Sequence, residues 1–194
     1  MRFAAVVAAA AAALDLLVLG LLHVVSPDVD PVARPVSEYA LGDFGWLATI
    51  RTLAQGIGPI ALAVALRRER VGAVLLLVVG LLKLAMPLFP VDALGSPATS
   101  AGQMHNLLGN LTFFLFPVAA LALFRALRRR GSRLAPPVAV ALAIGTVGVL
   151  VANAVAAFGL AQRAYLALCA VWLLLAALAV LRTAGRNRGS LLPS

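Results

Sequence analysis

The chain has 194 residues, of which 63% are hydrophobic and only 12% charged, with a mean hydropathy of +1.03. That composition excludes a soluble domain, which needs more charge to cover its surface, and the length leaves no room for a sizeable soluble module beside a membrane domain. The net charge of +9 sits in short basic runs between apolar stretches, the pattern of orientation signals and anionic-lipid contacts, so no nucleic-acid partner is expected.

Six apolar stretches approach or exceed the roughly 20 helical residues that cross a bilayer. They cover about residues 3–25, 44–66, 71–89, 104–127, 136–158 and 164–181. Runs of this length satisfy their backbone groups in lipid only as helices, so the expected fold is all-α, a six-transmembrane-helix bundle over 1–182. The polar remainder, 183–194, reads as a disordered cytoplasmic tail. The first stretch is too long for the core of a signal peptide, and Asp15 interrupts it.

Twelve arginines flank one set of helix ends (Arg2, Arg67, Arg68, Arg70, Arg125, Arg128, Arg129, Arg130, Arg133, Arg182, Arg186 and Arg188). Only Arg34 and Arg163 flank the other, and this bias places both termini in the cytoplasm. Membrane lipids are then the expected partners, with anionic headgroups at the cytoplasmic arginine clusters. The Ala, Val, Leu and Arg-rich, Lys-poor composition further suggests the plasma membrane of a GC-rich bacterium. Of the external segments, 26–43 is the longest and most varied, and its three prolines suggest an ordered cap over the helix ends. Asp28, Asp30 and Asp43 read there as solvated or capping groups, with Asp43 as N-cap of the second helix.

Ionisable groups within the spans cost about 2.5 to 3.5 kcal/mol each at the bilayer centre, so each needs a reason. They are Asp15, Arg51, Lys83 and His105, with His23 near an outer helix end and Gln55, Asn106, Asn110 and Asn153 as uncharged companions. At 1.5 Å per residue, Asp15 lies about 15 Å below the outer end of its helix, Arg51 about 10 Å and Lys83 about 9 Å. The polar groups thus collect in the outer half, as an outward-opening cavity would require. Arg51 and Gln55 share a helix face, as do Asn106 and Asn110, with Phe113 and Phe114 following inward. Asp15 with Arg51 or Lys83 reads equally as a structural ion pair or as part of a site, whereas the asparagines read more readily as interhelical hydrogen bonds than as ligands.

Two cations at that depth would suit an anionic headgroup, which makes a pocket for a lipid headgroup or small amphiphile the leading reading. The alternative is a membrane-embedded enzyme acting on a lipid or isoprenoid, with His105 and Glu38 or Asp92 as acid/base partners. No cofactor is predicted. Haem or a divalent metal held by His23 and His105 are further options, without the spacing of a diagnostic motif and with Cys169 as the only cysteine.

Several segments carry a family signature. Leu22-His23, Ser26-Pro27, Asp30-Pro31, Pro35 through Gly42 (Pro-Val-Ser-Glu-Tyr-Ala-Leu-Gly) and Gly45-Trp46-Leu47 are followed by Phe89-Pro90-Val91-Asp92 and Gly102-Gln103-Met104-His105-Asn106. In order and spacing these pieces resemble the bacterial membrane-protein family of domain of unknown function nine-nine-eight, over about residues 20–118. The resemblance implies six membrane helices and carries no settled activity. It marks Asp30, Ser37, Glu38, Tyr39, Asp92 and His105 as the positions that match the family's motifs.

Overall fold

The computed structural model describes the backbone of residues 1–154 and 157–189 and the side chains of 1–152 and 157–185. Asn153 lies outside the described side chains. The helices are α1 (Arg2–Val25), α2 (Gly45–Ala65), α3 (Arg70–Ala85), α4 (Ser100–Ala122), the short α5 (Phe124–Arg129), α6 (Ala135–Ala154) and α7 (Phe158–Gly189). Six helical segments are long and apolar enough to cross a membrane, and the chain is a multi-pass helical membrane protein. Two boundaries differ from the hydropathy reading. The fourth stretch breaks at Leu123, so that α5 carries its basic end separately. The last helix runs on to Gly189, so 183–189 continue it where an unstructured tail was expected, and 190–194 lie outside the described residues.

Each long helix packs on its neighbours in sequence, and α7 returns to α1, which closes a ring with α2 and α7 also touching across it. The pattern follows from where small residues fall. In α1, Ala5, Ala8, Ala12, Asp15, Leu19 and Leu22 repeat at three- and four-residue intervals and form its buried face, so Asp15 is carried into the interior with the apolar stripe. Large apolar side chains such as Leu17, Leu111, Phe114 and Ile144 stay exposed on the outer faces, where lipid meets them. Of the two phenylalanines that follow the polar stripe of α4, Phe113 lines the interior and Phe114 faces outward.

One close approach sets the register that matters for the interior. A Cβ on Gly80 would fall 2.6 Å from the Gly56 carbonyl oxygen, and one on Gly56 would fall 2.9 Å from the Gly80 carbonyl oxygen. The α2 and α3 backbones therefore touch where both helices lack side chains, the usual device of membrane helix pairs. That contact brings Gln55, next to Gly56, and Lys83, three residues after Gly80, to the same two cavities of the bundle. A Gly80→Leu variant is expected to lose about 1–3 kcal/mol of stability by forcing the two helices apart. Reversible SDS unfolding followed by circular dichroism measures it.

Besides Pro136 and Pro137 in the first turn of α6, prolines lie inside α2 at Pro59 and inside α4 at Pro117. Proline has no N–H to give the carbonyl four residues earlier. At Pro117 the freed carbonyl belongs to Phe113, and the Tyr165 hydroxyl of α7 donates to it at 2.7 Å. The Tyr165 and Phe113 rings stack with centroids 4.7 Å apart, bridging the ring of helices. Tyr165→Phe keeps the stack and strands the carbonyl, for an expected loss of about 1–3 kcal/mol in the same unfolding assay. Pro59 likewise leaves the Gln55 carbonyl without its helical donor.

At the arginine-rich end, Glu69 in the α2–α3 turn pairs with Arg130 at 3.2 Å and Arg129 at 3.6 Å, tying that turn to α5. Asp43 does not cap α2, contrary to expectation. Phe44 occupies the N-cap, and no side chain caps the helix, because the chain enters it through a turn in which Gly45 N–H donates to the Gly42 carbonyl.

Candidate functional site

The arginine-poor end of the bundle carries two connections that roof its interior. The first, between α1 and α2, contains a 3-10 helix at Val36–Leu41. Asp30 accepts from the Val32 amide at 2.8 Å and so builds a local turn. The rest is fastened to the start of α7 by Arg163, a residue sequence reasoning used only for orientation. Its buried guanidinium donates to the Arg34 carbonyl at 2.7 Å, to His23 Nε2 at 2.9 Å and to the Tyr39 hydroxyl at 3.1 Å. Gln162 adds a bond to the Val36 amide at 2.7 Å. With Nε2 accepting, His23 carries its proton on Nδ1, which donates to the Leu19 carbonyl at 2.6 Å. Both ring nitrogens of His23 are thus engaged, and they belong to the roof.

The second connection, between α3 and α4, is anchored by carboxylates. Glu38, buried under the roof, accepts from the Leu94 amide at 2.8 Å through Oε1. Its Oε2 faces Arg34 Nε at 2.7 Å as a charge contact rather than an aligned hydrogen bond. Asp92 accepts from both the amide and the hydroxyl of Thr99 at 2.8 Å, and Thr99 in turn accepts from Gly102 as N-cap of α4. A Cβ on Gly102 would collide with the Asp92 carboxylate, so glycine is what lets the acid sit on this helix start. The two Thr99 bonds hold the Asp92 carboxyl below the usual carboxylate range. The stabilisation from this cap is therefore complete above the unfolded value of about 3.9 and is lost as pH falls through the lowered folded value.

Beneath this roof is a cavity of about 530 Å³. Its walls come from α2 (Thr49, Arg51, Thr52, Gln55), α3 (Lys83), α4 (His105, Asn106, Gly109, Asn110) and α7 (Gln162, Leu166), with Ser37 and Glu38 above. Phe113 and Leu166 line both this cavity and a smaller one of about 40 Å³ further in, as do Gln55 and Lys83. The inner space is otherwise apolar apart from Asp15, Thr112, Tyr165 and Cys169. His105 Nδ1 donates to the Phe89 carbonyl at 2.9 Å, so in the neutral ring Nε2 carries no proton and is left as an acceptor.

The buried charges are unevenly matched. Arg51 Nε lies 2.8 Å from Asp15 Oδ1, with both side chains about 95% buried (5% and 6% exposed). Of the two pairings the sequence left open, Asp15 thus takes Arg51. Gln55 also donates to Asp15, at 3.1 Å and 3.3 Å to its two oxygens. The Arg51 Nε contact is close but not aligned as a hydrogen bond, so it is an ion pair held by charge alone, and the buried Arg51 Nη2 has no hydrogen-bond partner among the described residues. Lys83 has no carboxylate within 4.0 Å among them either, since the ion pairs formed there are those of Arg34, Arg51, Arg129 and Arg130.

The fold therefore brings Arg51, Gln55, Lys83, His105, Asn106 and Asn110 around one space, with Asp15 behind Arg51. It assigns His23, Asp30, Tyr39 and Asp92 to holding the roof. His105 makes no hydrogen bond to Glu38 or Asp92, whose oxygens are occupied by Leu94, Arg34 and Thr99. Among the described residues, no group of three or more His, Cys, Asp or Glu side chains is assembled as for a metal ion.

A family model described as protein of unknown function (DUF998) matches residues 9–179, and the chain belongs to that family. No curated protein and no solved structure matches it.

Proposed function

We propose that the cavity binds the anionic headgroup of a lipid or small amphiphile. The observation that carries this reading is the buried guanidinium of Arg51, whose Nη2 lacks a partner beside a Lys83 that lacks a counterion. An unpaired cationic donor in a low-dielectric interior is costly, and an anion in the cavity removes that cost. The volume of about 530 Å³ suits a headgroup with its first carbons, and Asn106, Asn110 and the Nε2 of His105 supply neutral hydrogen-bonding partners around it.

The arginine distribution supports a cavity on the outer side of a bacterial plasma membrane, with both termini and the α5 arginines at the cytoplasmic face against anionic lipids. An acid/base enzyme is the less favoured reading, because the carboxylates that would assist His105 serve the roof instead.

Native mass spectrometry of the gently purified protein tests the proposal. A co-purifying anionic amphiphile is expected on the wild type, and its occupancy should fall about tenfold or more in Lys83→Met. Equal occupancy in the two proteins, or wild type free of any amphiphile, would refute it.

A further inference from the structure

Resting on that anion-binding reading, we infer that the cavity selects a headgroup with a single negative charge, a phosphodiester or a carboxylate, over one with two charges or none in balance. The inference follows from an inventory of the fixed charges around the space. Glu38 is matched by Arg34 at 2.7 Å and directs its other oxygen to the Leu94 amide. Asp92 sits on the exposed start of α4, where Thr99 and the helix dipole satisfy it. Neither contributes net charge to the interior.

What remains beside the cavity is Asp15, Arg51 and Lys83, two cations and one anion; the buried Arg163 spends its guanidinium on three neutral acceptors of the roof and does not line the space. Asp15 is committed to Arg51 by the 2.8 Å contact and to Gln55 by two hydrogen bonds. The excess is therefore one positive charge, carried on the cavity wall by Lys83 and Arg51, with Arg51 Nη2 the donor left without a partner. One anion with two acceptor oxygens neutralises it and uses both donors. A second negative charge would stand unmatched in the low-dielectric interior with Asp15 just behind, and like charges there repel strongly. A zwitterionic headgroup would bring its own cation into a site already positive. Phosphodiester and carboxylate share the needed chemistry, so the arms of the experiment separate a phospholipid from a fatty acid.

The test uses the full-length protein in a nonionic detergent at pH 7, where a phosphate monoester, with its second pKa near about 6, carries most of two charges. Short-chain phosphatidylglycerol, decanoate, short-chain phosphatidate and short-chain phosphatidylcholine are titrated separately by calorimetry. At least one of the two monoanions should bind tenfold or more tighter than phosphatidate and phosphatidylcholine, and the tighter of the two identifies the source. In Lys83→Met the interior balances without a ligand, and the advantage over phosphatidylcholine should shrink to within about twofold. In Asp15→Asn the excess becomes two charges, and phosphatidate should become the tightest ligand. Lys83 makes no ion pair, so Lys83→Met decides the matter if Asp15→Asn does not fold. Phosphatidate binding the wild type as tightly as the monoanions, or Lys83→Met keeping the wild-type preference, would overturn the charge selection and leave the anion site standing. Failure of all four amphiphiles to bind the wild type would overturn both.

Discussion

Arg51→Met is expected to cost about 3–5 kcal/mol, because it leaves the carboxylate of Asp15 buried without its cation. Adding Asp15→Leu should recover most of that loss. A buried ion pair replaced by apolar residues of similar volume is often neutral or even stabilising, while half of one is strongly destabilising. SDS or thermal unfolding in micelles reads both values. The double variant then separates the two meanings that an intramembrane ion pair can have. If Asp15 and Arg51 only join α1 to α2, the refolded double variant should retain whatever amphiphile the wild type carries. If Arg51 also presents Nη2 to a ligand, the double variant should be stable and hold that amphiphile at clearly lower occupancy, through Lys83 alone.

The second large effect is expected at Arg163. Its three hydrogen bonds reach His23 in α1 and both Arg34 and Tyr39 in the first connection, and the guanidinium carbon also lies 5.3 Å from the centre of the Tyr39 ring. Arg163→Met strands a buried hydroxyl, a carbonyl and a ring nitrogen, for a loss of about 2–4 kcal/mol. Arg163→Lys should not restore it, since an ammonium on a flexible stem cannot reproduce the planar fork that meets three acceptors at once. Hydrogen exchange locates the damage: amides between residues 32 and 41 should exchange faster in both variants, and those of α3 should not change.

The bundle itself was legible in the sequence because lipid imposes a length on every helix and an arginine bias on the turns. That Asp15, Arg51 and Lys83 lie within long apolar helices was equally legible, and the Arg51–Gln55 spacing put both on the face that meets Asp15. What escaped was anything that depends on residues distant in the chain. Arg163 meets His23 and Tyr39 across more than 120 residues, and nothing local to Arg163 announces it. Glu38 and Asp92 have the look of acid/base partners, yet their oxygens go to the Leu94 amide, Arg34 and the amide and hydroxyl of Thr99, which no spacing rule reveals. Pro117 was the one available signal for Tyr165: a proline inside a membrane helix frees a carbonyl, and some donor must find it.

Whether an anion meets Arg51 and Lys83 is tested most directly by a high-resolution map of the protein purified in nanodiscs with native lipid. The prediction is density for a headgroup within hydrogen-bond distance of both Arg51 Nη2 and Lys83 Nζ, beneath the roof that Arg163 and Glu38 hold. A map with Lys83 turned to bulk lipid, or with both cations closed on protein acceptors and no density between them, would contradict it.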